Sequence, residues 1–344
     1  MIRLLKWLLG IVVALALSIG ATIGYVELAC TGDGVSVEQA PAILPPEHHR
    51  PVTRTFMTYP EWHIVHAYDD YAQVISDGDP HDFSFLRAVS GFWSSLCATR
   101  KMAEFFGPVD YDTNLMVYTI GFSFTAELAL KAAYEETVGR VFATLRGPSR
   151  AALDDLSADQ ARRYATFLQQ VPWYRWDFAA DASDLRAQSS SATRDRERAI
   201  ALGLEYQAKA AYARVIANAV SAVGPDELTL RMIVSGAPSG ALAAYPGVIV
   251  VAEHEQGVEI ETPRYRTLTR LLVDMANDGA DFVEIAGNTE IMFTALAPAA
   301  LDGAVHAFPR QGYRDTRSLI LVQVADLAAW LRENPGYVEH IHDY

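Results

Sequence analysis

The stretch "TYPEWHIVHAYDD", residues 58 to 70, sets His63, His66 and Asp70 among aromatic residues. On a helix advancing about 100° per residue, these three side chains fall within about 60° of one another, opposite a stripe of Ile64, Tyr68, Tyr71 and Ile75. Neutral imidazoles with a carboxylate suit Zn²⁺ or another divalent metal, and a carboxylate beside an imidazole can instead tune it as a general base. A second group stands in "VEHIHDY", where a strand would project His340 and His342 to one side and Asp343 to the other. Only folding could join the two groups. The plainer expectations are a solvated helix face with a His66 to Asp70 contact at i, i+4, and an exposed C-terminal tail.

Other constellations are weaker. "VPWYRWDF" brings together Trp173, Tyr174, Trp176 and Phe178, with Arg175 available for stacking. Such a platform can bind a sugar, a lipid or a partner protein, and it can equally close a core where a helix ends. Glu127, Lys131 and Glu135, followed by Glu136 and Arg140, have the spacing of an ion-pair ladder along one helix. "AEHEQGVE" begins like a zincin helix but carries Val258 where the second histidine is required. The chain has no G-x-S-x-G elbow, S-x-x-K, Walker A loop, G-x-G-x-x-G or C-x-x-C, so the hydrolase, nucleotide-binding and thioredoxin-like classes lack their local signatures.

The elements that must position these residues follow from periodicity. The segment 58–224 reads as mainly helical. Thr58 and Glu61 are spaced as a capping box with Pro60 in the first turn, and further helices are expected over 82–106, 113–145, 157–171 and 194–223. "ADASDLRAQSSSA" reads as a mobile loop. From 225 to 344 the pattern changes: "LTLRMIVSG", "GVIVVAEHE" and "RSLILVQV" read as strands, and "DFVEIAGNTEIMFTALA" as two strands about a Gly-Asn hairpin turn. Helices are expected after Thr262-Pro263 and at "DLAAWLREN". Strands and helices mix without βαβ regularity, so the expectation for 225–344 is an α+β unit with a largely antiparallel sheet, loosely ferredoxin-like.

Residues 1–30 have a different character. Leu8 to Val26 is a run of 19 residues without a charge, enough to cross a hydrocarbon core of about 30 Å, with Trp7 and Tyr25 near its ends. Arg3 and Lys6 precede the run and only acids follow before Arg50, which orients the N-terminus to the cytoplasm and the body outside it. A single-pass anchor in the lipid bilayer through residues 4–26 is the reading, with a cleaved signal and lipidation at Cys30 as its competitors. Residues 31–57, with prolines at 41, 45, 46, 51, read as an extended tether. Cys30 and Cys97 would share an oxidising compartment, but nothing in the sequence brings them together, so two free thiols are expected.

The 344 residues carry a formal net charge of −14 and no basic run, which argues against a nucleic-acid partner. The leading expectation is therefore a membrane-anchored extracytoplasmic protein that binds or assembles with a membrane or envelope partner without catalysis. The alternative is a metal-dependent or acid-base enzyme built on His63, His66 and Asp70, joined by His340 and His342.

Overall fold

A computed structural model describes residues 2–32, 41–221 and 228–343. Helix α1 runs over Ile2–Ala29, and its last turn lies on the body of the protein. Val26 and Cys30 are fully buried there, the Glu27 carboxylate takes a paired contact from the Arg100 guanidinium at 2.9 and 2.6 Å, and Tyr118 donates to it at 2.6 Å. Cys30 and Cys97 form a disulfide with their Cα atoms 4.9 Å apart, so the expectation of two free thiols is overturned. The tether is corrected as well. Residues 33–40 lie outside the described residues, but 41–50 is laid against the C-terminal region, where Glu284 accepts from the Ile43 and Leu44 backbone and Arg50 N–H donates to the Ala286 carbonyl.

Helix α2, Val52–Asp77, begins at Pro51 rather than at Thr58. Pro60 therefore sits inside the helix, where it removes one i→i−4 bond, and the Thr58 hydroxyl donates back to the Thr55 carbonyl instead of capping. Around α2 pack α3, Phe85–Phe106, and α4, Tyr111–Tyr134, which Asp110 caps by accepting from Thr113 N–H at 2.8 Å. A π turn over Glu135–Gly139 joins α4 to α5, Arg140–Arg146. By length and composition alone the whole span Tyr111–Arg146 could cross a membrane. Its inner face packs Val117, Phe124 and Leu128 into the helical core, and its charged Glu127, Lys131 and Glu135 are paired within the protein.

Helices α6, Ala152–Leu168, α7, Phe178–Gln188, and α8, Thr193–Ser221, complete this region. Helix α7 falls where a mobile loop was expected; Asp177 caps it, and Phe178, Ala182 and Leu185 bury its apolar face. The expected ladder on α4 is also corrected: Lys131 and Glu127 reach across to Glu205 and Lys209 on α8, and only Glu136 and Arg140 pair along the helix. The π turn brings Glu135 inward to a buried network. Arg198 binds Glu135 at 2.8 Å and Glu197 at 2.6 Å, Arg194 binds Asp154 and Glu197 at 2.9 Å, and Arg146 binds Asp79 and Asp154.

The C-terminal region holds two four-stranded antiparallel sheets rather than one. The first, in the order β2-β3-β1-β4, is made of β1 Thr229–Ser235, β2 Ile249–His254, β3 Gly257–Pro263 and β4 Asp281–Ile285. Helix α9, Ser239–Leu242, lies between β1 and β2 in the chain, and α10, Tyr265–Asn277, between β3 and β4. The second sheet repeats that order as β6-β7-β5-β8, from β5 Glu290–Ala297, β6 His306–Pro309, β7 Thr316–Gln323 and β8 Val338–His342, with α11, Val324–Glu333, between β7 and β8. The expected hairpin at Gly287-Asn288 does not pair β4 with β5. Ala286 and Gly287 take positive φ there, a single bridge joins Ile285 to Asn288, and the chain passes from one sheet to the other.

Ile291, Phe293, Ala295, Ile320 and Ile341 face a core shared with α10, α11 and the first sheet. Met292 and Leu319 face the helical region on the other side. The second sheet is thus covered on both faces, which is why β5 reads as a continuous apolar run instead of an alternating one.

Candidate functional site

The face of α2 opposite its apolar stripe lies against this second sheet. His63, His66 and Asp70 are 1, 3 and 2% exposed, so the expectation of a solvated polar face is overturned. The exposed-tail expectation fails too, because β8 pairs with β5 and His340 and His342 are buried. In β8, Val338 and Ile341 both face the sheet's inner core although three residues apart, and the register against β5 shifts between Thr294 and Ala295. This bulge turns both Glu339 and His340 away from that core, and His342 follows by alternation.

The two histidine groups meet there in part. Trp62 stacks on His340 with ring centroids 3.6 Å apart, and it meets His342 at 5.5 Å and His66 at 6.1 Å. The His340 and His342 rings are 5.0 Å apart, and Tyr59 stands edge-on to His342 at 5.0 Å. His66 Nδ1 faces Glu339 at 3.7 Å, and His340 Nδ1 faces the Thr269 hydroxyl of α10 at 3.4 Å. The outward nitrogens, Nε2 of His66 and Nε2 of His340, have no hydrogen-bond partner, nor does either nitrogen of His342.

His63 and Asp70 stand apart from that trio. His63 Nε2 meets the Ala88 carbonyl at 2.8 Å, its ring packs on Phe308, and its Nδ1 is unpartnered. Asp70 is not bonded to His66 and takes its partners from the C-terminal region. It accepts from Gln311 N–H at 2.9 Å and faces Arg310 at 3.6 Å and Arg317 at 3.8 Å. Arg317 is fully buried and binds Glu339 through two contacts at 2.5 and 2.6 Å.

Electrostatics keep the imidazoles neutral. Burial pushes His63 and His342 down to about 3, and it holds His66 and His340 well below the usual value, with the Arg317 charge adding to the effect on His66 and His342 adding to that on His340. Burial pushes the Asp70 carboxyl up to about 6 against the pull of Arg317. Burial also works against the Glu339 charge, but the Arg317 guanidinium outweighs it and lowers that carboxyl. Neutral imidazoles are donors a metal can use without releasing a proton.

The remaining sequence candidates fall elsewhere. Trp173, Tyr174 and Arg175 form a 3₁₀ turn, and the half-buried Trp173, Tyr174 and Trp176 close a small core with Tyr164 and Phe178. Trp176 Nε1 donates to Asp181 at 2.7 Å, and Arg175 is exposed beside Tyr174. His254 meets Glu259 across the β2-β3 turn at 2.9 Å, in a hairpin and not in a zincin helix. Among the described residues, the group whose donor atoms all lie within 4.8 Å of one another is Asp79, His81 and Asp82. There Asp79 is already bound by Arg146, and Asp82 caps the Asp79 N–H.

Sequence reasoning did not single out Trp62, Glu339, Arg317 or Thr269. Glu339 adjoins His340 in the quoted motif, and Arg317 alternates with Leu319 and Leu321 on β7, a charge at a core-facing position that marks a buried pair. Comparison with known proteins gives no matching family model, no matching curated protein and no matching solved structure.

Proposed function

We propose that the protein is a single-pass, membrane-anchored module whose body lies outside the cytoplasm and acts by binding or assembling with a membrane or envelope partner. The Cys30–Cys97 disulfide carries this reading. It ties the end of α1 to α3, and such bonds persist in oxidising compartments. The charge asymmetry about residues 4–26 orients the anchor the same way. With Glu27 held by Arg100 and Tyr118, the body sits directly at the end of the anchor instead of on a long tether. The outward side of α4 then offers a partner a surface of Tyr111, Leu115 and Leu130, each more than half exposed. The C-terminal region is best described as two ferredoxin-like units, since both sheets share one strand order and the first follows a βαββαβ path.

The second reading, a metal-dependent or acid-base site, is favoured by the unpartnered imidazole nitrogens beneath Trp62. Protease digestion of sealed right-side-out and inside-out membrane vesicles tests the first reading. The body is expected to be cleaved only in right-side-out vesicles; cleavage confined to inside-out vesicles would refute the orientation.

A further inference from the structure

His63, His66 and His340 each leave one buried ring nitrogen unpartnered, but of these only His66 and His340 lie against the Trp62 ring. His340 turns Nδ1 to the Thr269 hydroxyl at 3.4 Å, His66 has Nδ1 3.7 Å from the Glu339 carboxylate and outside hydrogen-bond range, and each leaves Nε2 buried and unpartnered. A metal-ligating histidine is set up as His340 is: an oxygen on one ring nitrogen fixes the tautomer and orientation, and the other nitrogen is left as the ligand. His342, the next residue on the same face of β8, has both ring nitrogens buried and unpartnered. Buried polar atoms are nearly always satisfied, so four such nitrogens around one Trp ring call for a shared partner.

We propose that Nε2 of His66, Nε2 of His340 and one ring nitrogen of His342 bind a single imidazole-preferring divalent transition-metal ion such as Zn²⁺, with Thr269 as the positioning residue. Three nitrogen donors exclude the oxygen-seeking ions Mg²⁺ and Ca²⁺ as the natural occupant. The donors come from two distant parts of the chain, α2 and β8, so the ion ties the helical region to the second sheet. Their donor atoms do not yet meet the 4.8 Å mutual spacing that Asp79, His81 and Asp82 show, so ligation draws the rings together. His342, which no hydrogen bond fixes, is the ring that turns. Glu339 keeps both oxygens on Arg317 and remains outside the ligand set. Trp62, half-buried above three buried imidazoles, covers the site. The proposal rests on the metal reading of the histidines and is independent of the anchor, whose failure would show in the vesicle test alone.

The full chain, purified in detergent and stripped with a chelator, is titrated with Zn²⁺ and, separately, with Co²⁺. A single equivalent of Zn²⁺ is expected, together with Co²⁺ quenching of tryptophan fluorescence that is largely lost in Trp62→Phe. His66→Gln, His340→Gln and His342→Gln should each weaken Zn²⁺ binding at least about 100-fold, and Thr269→Val about 10-fold. His63→Gln and His81→Gln should leave it unchanged. Near-UV circular dichroism checks that each variant is folded; should a ligand variant misfold, the Trp62-dependent quenching in the native sequence still decides. Absence of a stoichiometric Zn²⁺, binding that survives both His66→Gln and His340→Gln in folded protein, or binding abolished by His81→Gln would each overturn the proposal.

Discussion

Around Arg198, buried charge is answered within the protein: Glu135, Glu197 and Asp154 each accept from at least one guanidinium, and Tyr134 adds its hydroxyl to Glu197. Around His342, equally buried, nitrogens of His66, His340 and His342 are left without a hydrogen bond. Both groups join elements distant in the chain, α4 to α8 in the first case and α2 to β8 in the second. The difference teaches what each is for. A network in which every buried carboxylate is bound by a guanidinium holds its region together unaided, whereas a cluster of neutral donors and acceptors left unpaired costs stability until something fills it.

The largest effect expected from this contrast is on the first side. Arg198→Met leaves Glu135 and Glu197 buried without their main counter-charge and should cost about 3–5 kcal/mol, read from thermal or denaturant unfolding of the full chain in detergent. On the second side, saturating Zn²⁺ at about 100 times its Kd should raise stability by about 2.7 kcal/mol, and the gain should vanish in His342→Leu.

The pH response separates the two kinds of chemistry further. The folded value of His63 lies far below its ordinary 6.5, so the unfolded chain takes up the proton first. Stability present above pH 6.5 is therefore lost as pH falls toward about 3, by about 1 kcal/mol near pH 5.5 for this group, and because His66, His340 and His342 share the limb, His63→Gln should make it shallower without removing it. Glu205 has the opposite history: burial would raise its carboxyl, but Lys131 and Lys209 outweigh this and pull it down to about 2. Its contribution is complete above about 4.5 and is lost only as pH falls from there to 2, so Glu205→Gln should lower stability at neutral pH and remove pH dependence only from the more acidic limb. Unfolding followed as a function of pH in chelator-treated protein resolves the two windows.

The smallest effect is the most discriminating. In chelator-treated protein His342→Leu replaces an unsatisfied buried ring by an apolar side chain of similar bulk, and it should leave stability within about 1 kcal/mol of the native chain or above it. A loss comparable with that of Arg198→Met would mean that the cluster is as self-sufficient as the ion network.

Much of this was legible in the sequence where a local pattern carries the information. The helical register that aligns His63, His66 and Asp70, the alternation that aligns His340 with His342, and the strand character of β1, β2 and β7 all follow from spacing. What was illegible depends on distant partners. Nothing in "VEHIHDY" shows that β8 is paired or that a bulge turns Glu339 beside His340. An i, i+4 series such as Glu127, Lys131, Glu135 looks the same whether its charges bind one another or reach across to α8. Helix α7 carries Phe178, Ala182 and Leu185 at helical spacing, but the polar residues between them hide that short stripe until it packs into a neighbouring core. The Cys30–Cys97 bond needs a close approach between residues 67 positions apart, which only the docking of α1 on α3 supplies.

That bond also offers the most direct test of the functional reading, in which the anchor spans the membrane and the body, fixed to its outer end, lies outside the cytoplasm. Membranes from cells making the full chain are quenched in acid, denatured with a thiol-alkylating mass tag, and the tagged protein is resolved with and without prior reduction. The account predicts no tag before reduction and two tags after it. Two tags on the unreduced protein would show free thiols, and would contradict both the disulfide and the oxidising compartment inferred from it.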